Sequence, residues 1–197
     1  DKVALERKMM RHRHIVVSGW FVRYYDLFLK YRSEIVDLFT LDEQYTAPVK
    51  EKMLQCEQHS SHSIRLGVHI RRGDYVQWRD GAFFFTDEVY MRHINRFCEL
   101  FPDKEVHVYL STNDGTVTEE AYQEGCPKAC VHHLKGSAPE DLFMLSECDY
   151  LIGPPSTFSM VAQMYRDIPL YRMDMADERQ MTIEGFRLFE YWFQNMV

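Results

Sequence analysis

The sequence has no apolar run of about 18 residues, the length that a membrane-spanning helix needs, and no charged, apolar and small-residue leader. We therefore expect neither a transmembrane helix nor a signal peptide in these residues. Positive charge is also scarce: 23 Lys and Arg stand against 30 Asp and Glu, which gives a net charge of −7. Because such a field repels polyanions, general binding to nucleic acid or to anionic membranes is excluded, and any anion site must be local.

Paired cysteines are another feature that the sequence does not favour. The five cysteines are an odd and scattered set, which fits reduced thiols in a cytoplasmic compartment. Cys126, Cys130, His132 and His133 are types of residue that bind zinc, but they lie within eight residues and lack the long intervening loop of zinc fingers. A loop or a strand edge is the preferred interpretation there, and we expect neither a metal nor a cofactor.

From Arg65 onward, apolar runs of strand length alternate with stripes of helical period. Two capping boxes, Thr116-x-x-Glu119 and Ser137-x-x-Glu140, mark helix starts. Strands that alternate with helices indicate an α/β fold with a Rossmann-like, doubly wound and mostly parallel sheet. The strands are predicted at 65–70, 106–110, 149–152 and 168–172.

The first 60 residues give a less complete pattern. A short strand is predicted at 15–20, an apolar stripe of helical period with one buried face follows up to Phe39, and Pro48 is expected in the first turn of another helix. The polar stretch at 59–63 is typical of a linker and places a domain boundary near residue 60. The predicted organisation is a segment with a strand and helices, 1–60, followed by a ligand-binding domain, 61–197.

One stretch carries the strongest chemical signal, Leu66-Gly67-Val68-His69-Ile70-Arg71-Arg72-Gly73-Asp74-Tyr75. A buried strand that ends in charged groups delivers them to the carboxyl edge of the sheet, where open α/β sheets bind ligands. Two neighbouring guanidinium groups repel each other unless an anion or carboxylates neutralise them, and planar arginine donors suit phosphate. The pattern predicts an anion site, with a loop salt bridge between Arg72 and Asp74 as the open alternative.

A second polar cluster follows the strand at 149–152. Ser156, Thr157 and Ser159 open a helix there, and the backbone N–H groups of a helix start favour an anion, with simple N-capping as the alternative. Asp141 lies in the first turn of the preceding helix, where a carboxylate ordinarily stabilises the helix dipole. If the two clusters form one pocket, they must lie close together across the sheet.

The two stretches resemble a known family. His69-x-Arg71-Arg72-x-Asp74 is similar to the HxRRxD donor-binding motif of fucosyltransferases, and its Gly-Asp-Tyr continuation most resembles the α1,2-fucosyltransferase family. The block from Asp141 to Ser159 is similar to the distal donor-binding motif of the same enzymes. It departs from the α1,2 pattern at Gly153-Pro154-Pro155 and after Ser159, where the family usually carries aromatic residues.

The resemblance implies that 61–197 is the GDP-sugar-binding, Rossmann-like half of a GT-B glycosyltransferase and that 1–60 is a connection from its amino-terminal half. That enzyme would transfer L-fucose from GDP-β-L-fucose to a galactose hydroxyl of a glycan, in α1,2 linkage, with inversion and without a metal. A carboxylate that accepts hydrogen bonds from guanine N1 and N2 discriminates against adenine. The resemblance implies that Arg71 binds the β-phosphate, that Arg72 orients the loop or binds a second phosphate, and that His69 contacts the nucleotide. It implies further that Asp141 reads guanine and that the phosphates are bound by Ser156, Thr157 and Ser159. Asp74 is a candidate for the general base or orients the arginines, and a base outside these residues is the open alternative.

The resemblance leaves alternatives open. The Gly-rich strand-to-helix opening of these enzymes has no counterpart here, so we expect a fragment of a longer protein. One alternative is a nucleotide-sugar-binding fragment without turnover, and another is a fucosyltransferase with an α1,6 or protein O-linked acceptor. The expected location is the bacterial cytoplasm, free or at the membrane, or the Golgi lumen if the full-length protein is eukaryotic and anchored.

Overall fold

The structure is a computed structural model that describes residues 2–14, 16, 25–57, 62–174 and 180–195. The chain divides into two compact units, Asp1–Arg32 and Ser33–Val197. The first contains helices α1 (Lys2–Met9) and α2 (Tyr25–Lys30). The strand predicted at 15–20 and the boundary predicted near residue 60 fall almost entirely on residues outside the described ranges.

The segment before the sheet departs from the predicted pattern in two ways. Neither α2 nor α3 (Arg32–Leu38) contains a fully buried residue, since each is less than two turns long and cannot present a continuous stripe. Helix α4 (Glu43–Cys56) begins five residues before Pro48, so the prediction of its start was wrong. The reason is Asp42, whose carboxylate accepts a hydrogen bond from the Gln44 N–H at 2.9 Å and caps the helix.

The second unit is built on a five-stranded parallel sheet. Its strands are β1 (Ser63–Ile70), β2 (Glu105–Thr112), β3 (Ala129–His132), β4 (Tyr150–Gly153) and β5 (Leu170–Arg172). They lie in the order β3-β2-β1-β4-β5, with every neighbouring pair parallel. The predicted doubly wound parallel sheet is confirmed. The chain moves outward from β1 to β3 and then crosses to β4, so the topological switch point lies between the carboxyl ends of β1 and β4.

Helices cover both faces of this sheet. They are α5 (Asp87–Leu100), α6 (Glu119–Gly125), α7 (Ala138–Ser146), α8 (Thr157–Arg166) and α9 (Phe189–Gln194). The side chains of β1 alternate: Leu66, Val68 and Ile70 pack with α5 and α6, while the other face meets α4, α7 and α8. Gly67 lets α7 approach closely, because a Cβ there would lie 2.8 Å from Leu145 Cδ2.

The two predicted capping boxes have different outcomes. Ser137 and Glu140 form the capping box that opens α7. Helix α6 is capped by Thr118 instead, because the N–H and hydroxyl of Thr116 both donate to Asp114. None of the five cysteines, all within the described ranges, forms a disulfide. Among the described helices, none is both long and apolar enough to cross a bilayer.

Candidate functional site

Two loops meet at the switch point between β1 and β4. The imidazole of His69, at the end of β1, lies against the ring of Phe158 in the first turn of α8, with centroids 5.1 Å apart. The hydroxyl of Tyr75 donates to the carbonyl of Pro155 in the loop after β4. Gly153 permits the approach, since a Cβ there would lie 3.1 Å from the His69 carbonyl oxygen. The structure therefore brings the two sequence-predicted clusters together.

Arg71 presents its guanidinium at the surface of this junction. Its side chain is 36% exposed and forms an ion pair with Asp74 at 2.8 Å. The guanidinium also lies over the Tyr75 ring, 5.7 Å from its centroid. The loop ion pair thus joins Asp74 to Arg71, not to Arg72 as the alternative interpretation had it. This leaves a partly exposed cation with donors that can reach a ligand anion.

Arg72 is buried, and its donors are held by the protein. Its side chain is 8% exposed and forms ion pairs with Asp87 at 2.5 Å and Asp114 at 3.0 Å. Its Nε–H donates to the Phe85 carbonyl at 3.1 Å, and its backbone N–H donates to Asn113 Oδ1 at 2.9 Å. Burial disfavours the charge, but the two carboxylates outweigh it and raise the pKa of Arg72. The residue ties the HxRRxD loop to β2 and α5.

His69 is buried and neutral. Burial, helped by the nearby charge of Arg71, lowers the pKa of His69 to about 3. Within the described part of the chain, its Nδ1 has no hydrogen-bond partner. The ring packs the end of β1 against the start of α8, and a direct contact with a nucleotide stays a prediction.

Asp141 reaches the same edge of the sheet from α7. The Ser111 hydroxyl donates to Asp141 Oδ2 at 2.8 Å, and Ser111 is the register partner of His69 on the neighbouring strand. Burial raises the pKa of Asp141 to about 6, while the bond from Ser111 opposes the rise. A Cβ at Gly136 would lie 3.0 Å from the other carboxylate oxygen, Oδ1, so glycine keeps that side open.

The start of α8 offers two of the three predicted hydroxyl groups. Ser156 is the N-cap, and its hydroxyl oxygen accepts the Phe158 N–H at 3.2 Å. Thr157 is exposed. Ser159 is fully buried and donates its hydroxyl to the Ser156 carbonyl at 3.2 Å. The hydroxyls that can reach a ligand here are therefore those of Ser156 and Thr157.

Aromatic side chains form a row beside Arg71. The rings of Tyr75 and Trp78 have centroids 4.8 Å apart, and those of Trp78 and Phe83 are 5.2 Å apart. Trp78 lies in a short 3-10 turn, Trp78–Gly81, that follows a similar turn at Gly73–Val76. The row gives the exposed guanidinium an apolar border.

The residues that hold Arg72 were not predicted from the sequence. Asp87 lies in the first turn of α5, and Asn113 and Asp114 follow the end of β2. The signal that could have found them is the parallel register, which places the polar carboxyl end of β2 beside that of β1. What the sequence could not show is which arginine those groups neutralise.

Comparisons with known proteins give a family match and several similar solved structures. A family model described as glycosyl transferase family 11 matches residues 10–168. No match was found among curated proteins. Similar solved structures include POFUT1 in complex with GDP, with 14% identity, a TM-score of 0.48, and coverage of 61% of this chain and 44% of that chain. POFUT1 in complex with GDP-fucose has 13% identity and a TM-score of 0.49, and the match covers 61% of this chain and 42% of that chain.

A mutant of Arabidopsis thaliana FUT1 in complex with GDP gives 15% identity, a TM-score of 0.41, and coverage of 73% of this chain and 36% of that chain. The chain thus spans less than half the length of these structures. The family model, in contrast, covers most of the chain, including the HxRRxD loop and the start of α8. It confirms the family inferred from those residues: the chain belongs to glycosyl transferase family 11.

Proposed function

We propose that this chain is the donor-binding half of a GT-B fucosyltransferase. It binds GDP-β-L-fucose, and the complete enzyme transfers L-fucose to a galactose hydroxyl of a glycan, in α1,2 linkage, with inversion and without a catalytic metal. The supporting observation is the meeting of the HxRRxD loop with the hydroxyl-bearing start of α8, at the switch point of a family 11 chain.

The departing diphosphate needs positive charge where its own charge develops. Arg71 supplies a partly exposed guanidinium for the β-phosphate. The start of α8 adds its backbone N–H groups and the hydroxyls of Ser156 and Thr157. Hydrogen bonds to charged groups contribute about 1.5–3 kcal/mol each, so a few of them supply much of the roughly 8 kcal/mol of a micromolar complex. Arg72 positions the loop.

Asp141 reads the guanine base. With a pKa of about 6 the carboxylate is mostly ionised at pH 7, and it can then accept hydrogen bonds from guanine N1–H and N2–H. Adenine has an acceptor at N1 and no amino group at C2, so it leaves the carboxylate unpaired. The bond from Ser111 fixes the orientation of the carboxylate before the nucleotide arrives.

Asp74 has two roles open to it. Its ion pair orients Arg71, and its exposed carboxylate can also take the proton of an acceptor hydroxyl placed within about 3 Å. The variant Asp74→Asn separates them in the full-length enzyme. Loss of transfer with unchanged GDP affinity assigns the base to Asp74, whereas weakened GDP binding assigns orientation.

The direct test is calorimetry of the chain with GDP and ADP. We expect GDP to bind and ADP to bind at least about tenfold more weakly; equal affinities would falsify the proposed pocket. A full-length version is then incubated with GDP-fucose and galactosides, with and without a chelator. We expect fucosylation that the chelator does not abolish, and analysis of the product linkage separates α1,2 from α1,6 or protein O-linked transfer.

Binding without turnover is the second candidate. It is favoured by the ion pair between Asp74 and Arg71, which occupies the carboxylate that would otherwise act as the base. If the chain binds GDP and its full-length version neither hydrolyses GDP-fucose nor transfers fucose, this second function is correct and the catalytic proposal is wrong.

A further inference from the structure

A separate group of polar side chains lies at the opposite end of β2. Glu105 and His107 occupy the amino-terminal half of this strand, and Cys130 on β3 is the register partner of His107. Residues two apart on a strand, and register partners on neighbouring strands, share one face of a sheet, so all three side chains point the same way. A strand rises about 3.3 Å per residue, which places Glu105 roughly 20 Å from the carboxyl end of β2.

The three side chains bring ligand atoms together. A ring nitrogen of His107, the Sγ of Cys130 and a carboxylate oxygen of Glu105 all lie within 4.8 Å of one another. Glu105 Oε1 is 3.5 Å from the sulfur and 3.6 Å from the nitrogen. Tetrahedral zinc, with bonds of about 2.0–2.3 Å, separates its ligand atoms by roughly 3.3–3.7 Å. Two of the three separations already match that geometry.

His107 supplies an independent sign that this group binds a ligand. Its side chain is 3% exposed, and no described residue forms a hydrogen bond with its Nε2. A buried ring nitrogen without a hydrogen-bond partner is costly, and this nitrogen lies 3.6 Å from the carboxylate of Glu105. The other nitrogen, Nδ1, lies 2.9 Å from His132 Nε2. Metal-binding histidines are ordinarily oriented by such a bond from the second ring nitrogen.

We propose that Glu105, His107 and Cys130 bind a zinc ion that links β2 to the edge strand β3, with water in the fourth position. Thiolate and imidazole ligands favour zinc over magnesium or calcium. Cys130 releases its thiol proton when the metal binds, and His107 donates from Nδ1 to His132. The side chain of Glu105 is 49% exposed, which gives the ion a route from solvent.

This site differs from the sequence-local cluster around Cys126. That residue is fully buried in the core on the other face of the sheet, where its thiol contacts the Met91 carbonyl. The proposed ligands beside Cys130 come instead from β2, about 25 positions earlier in the chain. Spacing rules for zinc motifs therefore missed the group.

The test uses Co²⁺ as a spectroscopic probe and Zn²⁺ as its competitor. We expect the parent chain to bind one Co²⁺ with a thiolate charge-transfer band in the near ultraviolet, and Zn²⁺ to displace it. Cys130→Ser should lose the band, and Glu105→Gln, at an exposed position, should bind Zn²⁺ at least about tenfold more weakly. The matched control is Cys56→Ser, which removes a half-buried thiol outside the group and should keep the band.

Absence of the band in the parent chain overturns the proposal. So does loss of the band in Cys56→Ser, or unchanged Zn²⁺ affinity in both other variants. GDP affinity tests the donor site separately. We expect Cys130→Ser to bind GDP as tightly as the parent chain in the presence of a chelator. Circular dichroism of each variant verifies that the fold is intact.

Discussion

Arg71 and Arg72 are neighbours in the chain, yet they lie in opposite environments. The guanidinium of Arg71 is partly exposed and shares one pair with an exposed aspartate. That of Arg72 is buried and held by Asp87, Asp114 and the carbonyl of Phe85. Successive side chains point in opposite directions as the strand ends, so one faces the ligand edge and the other faces the interior. Of the two adjacent arginines, Arg72 therefore stabilises the loop, and Arg71 is available to bind a ligand anion.

Arg72→Ala should have the largest effect on stability. It leaves the carboxylates of Asp87 and Asp114 without their cation, and removing one partner of a largely buried ion pair typically costs about 3–5 kcal/mol. Because both aspartates keep some solvent contact, we expect the free energy of unfolding to fall by about 3 kcal/mol. Urea denaturation measures it, and a loss below that of Arg71→Ala would reverse the assigned roles.

Arg71→Ala tests the other half of the comparison. We expect GDP affinity to fall about 10- to 100-fold, since one charge-assisted hydrogen bond contributes about 1.5–3 kcal/mol. Stability should change by no more than about 0.5 kcal/mol, as for most surface substitutions. Arg71→Lys keeps the charge without the planar donors and should give an intermediate affinity. Unchanged calorimetric affinity in Arg71→Ala would place the phosphate elsewhere.

Four of the five strands were predictable because their signals are local, whereas β3 falls in a stretch whose pattern also fits a loop. β1 and β2 are apolar runs that end in polar residues, and both were placed within two residues of their observed bounds. The start of α4 was not, because a good cap at Asp42 competes with the preference of Pro48 for a first turn. Fold class thus followed from periodicity, while one helix boundary depended on which of two start signals prevailed.

The site was only half predictable, for a different reason. The motif residues can be identified by their type and spacing, but the role of each one depends on partners that are distant in the sequence. Asp114 meets Arg72 across 42 positions, and Ser111 meets Asp141 across 30. Such pairs follow from strand register and helix placement, which no local pattern encodes.

Asp141→Asn tests the difference between Asp114, which holds the loop through Arg72, and Asp141, which is proposed to bind the ligand. Hydrogen bonds from Thr116, and then Arg72, lower the pKa of Asp114, whereas burial raises that of Asp141 to about 6. Guanine needs the ionised form, so we expect GDP affinity to fall as the pH drops through 6. The variant should bind GDP about tenfold more weakly at pH 7.5 and lose this pH dependence.

A fall in pH should act on the stability contributed by Asp141 in the direction opposite to its effect on GDP affinity. Because its pKa is above the ordinary 3.8, the folded state binds more protons between that value and about 6. Stability from this group is therefore present at low pH and is lost as the pH rises through 6. Asp141→Asn should lack that loss in urea titrations. A parent whose GDP affinity is flat from pH 5 to pH 7.5, measured calorimetrically, would show that another group reads guanine.

Tyr75→Phe should have the smallest effect. It tests whether the hydrogen bond between the loop after β1 and the loop after β4 is needed for GDP binding. The variant removes the hydroxyl that donates to the Pro155 carbonyl and is also hydrogen-bonded to the Ser156 side chain, and the ring remains beside Trp78. A neutral hydrogen bond contributes about 0.5–1.5 kcal/mol, so we expect a stability loss in that range. If the tie also sets the distance between Arg71 and the start of α8, GDP affinity should fall by about the same free energy. An affinity equal to that of the parent, with reduced stability, would mean that the contact between His69 and Phe158 alone aligns the two halves of the pocket.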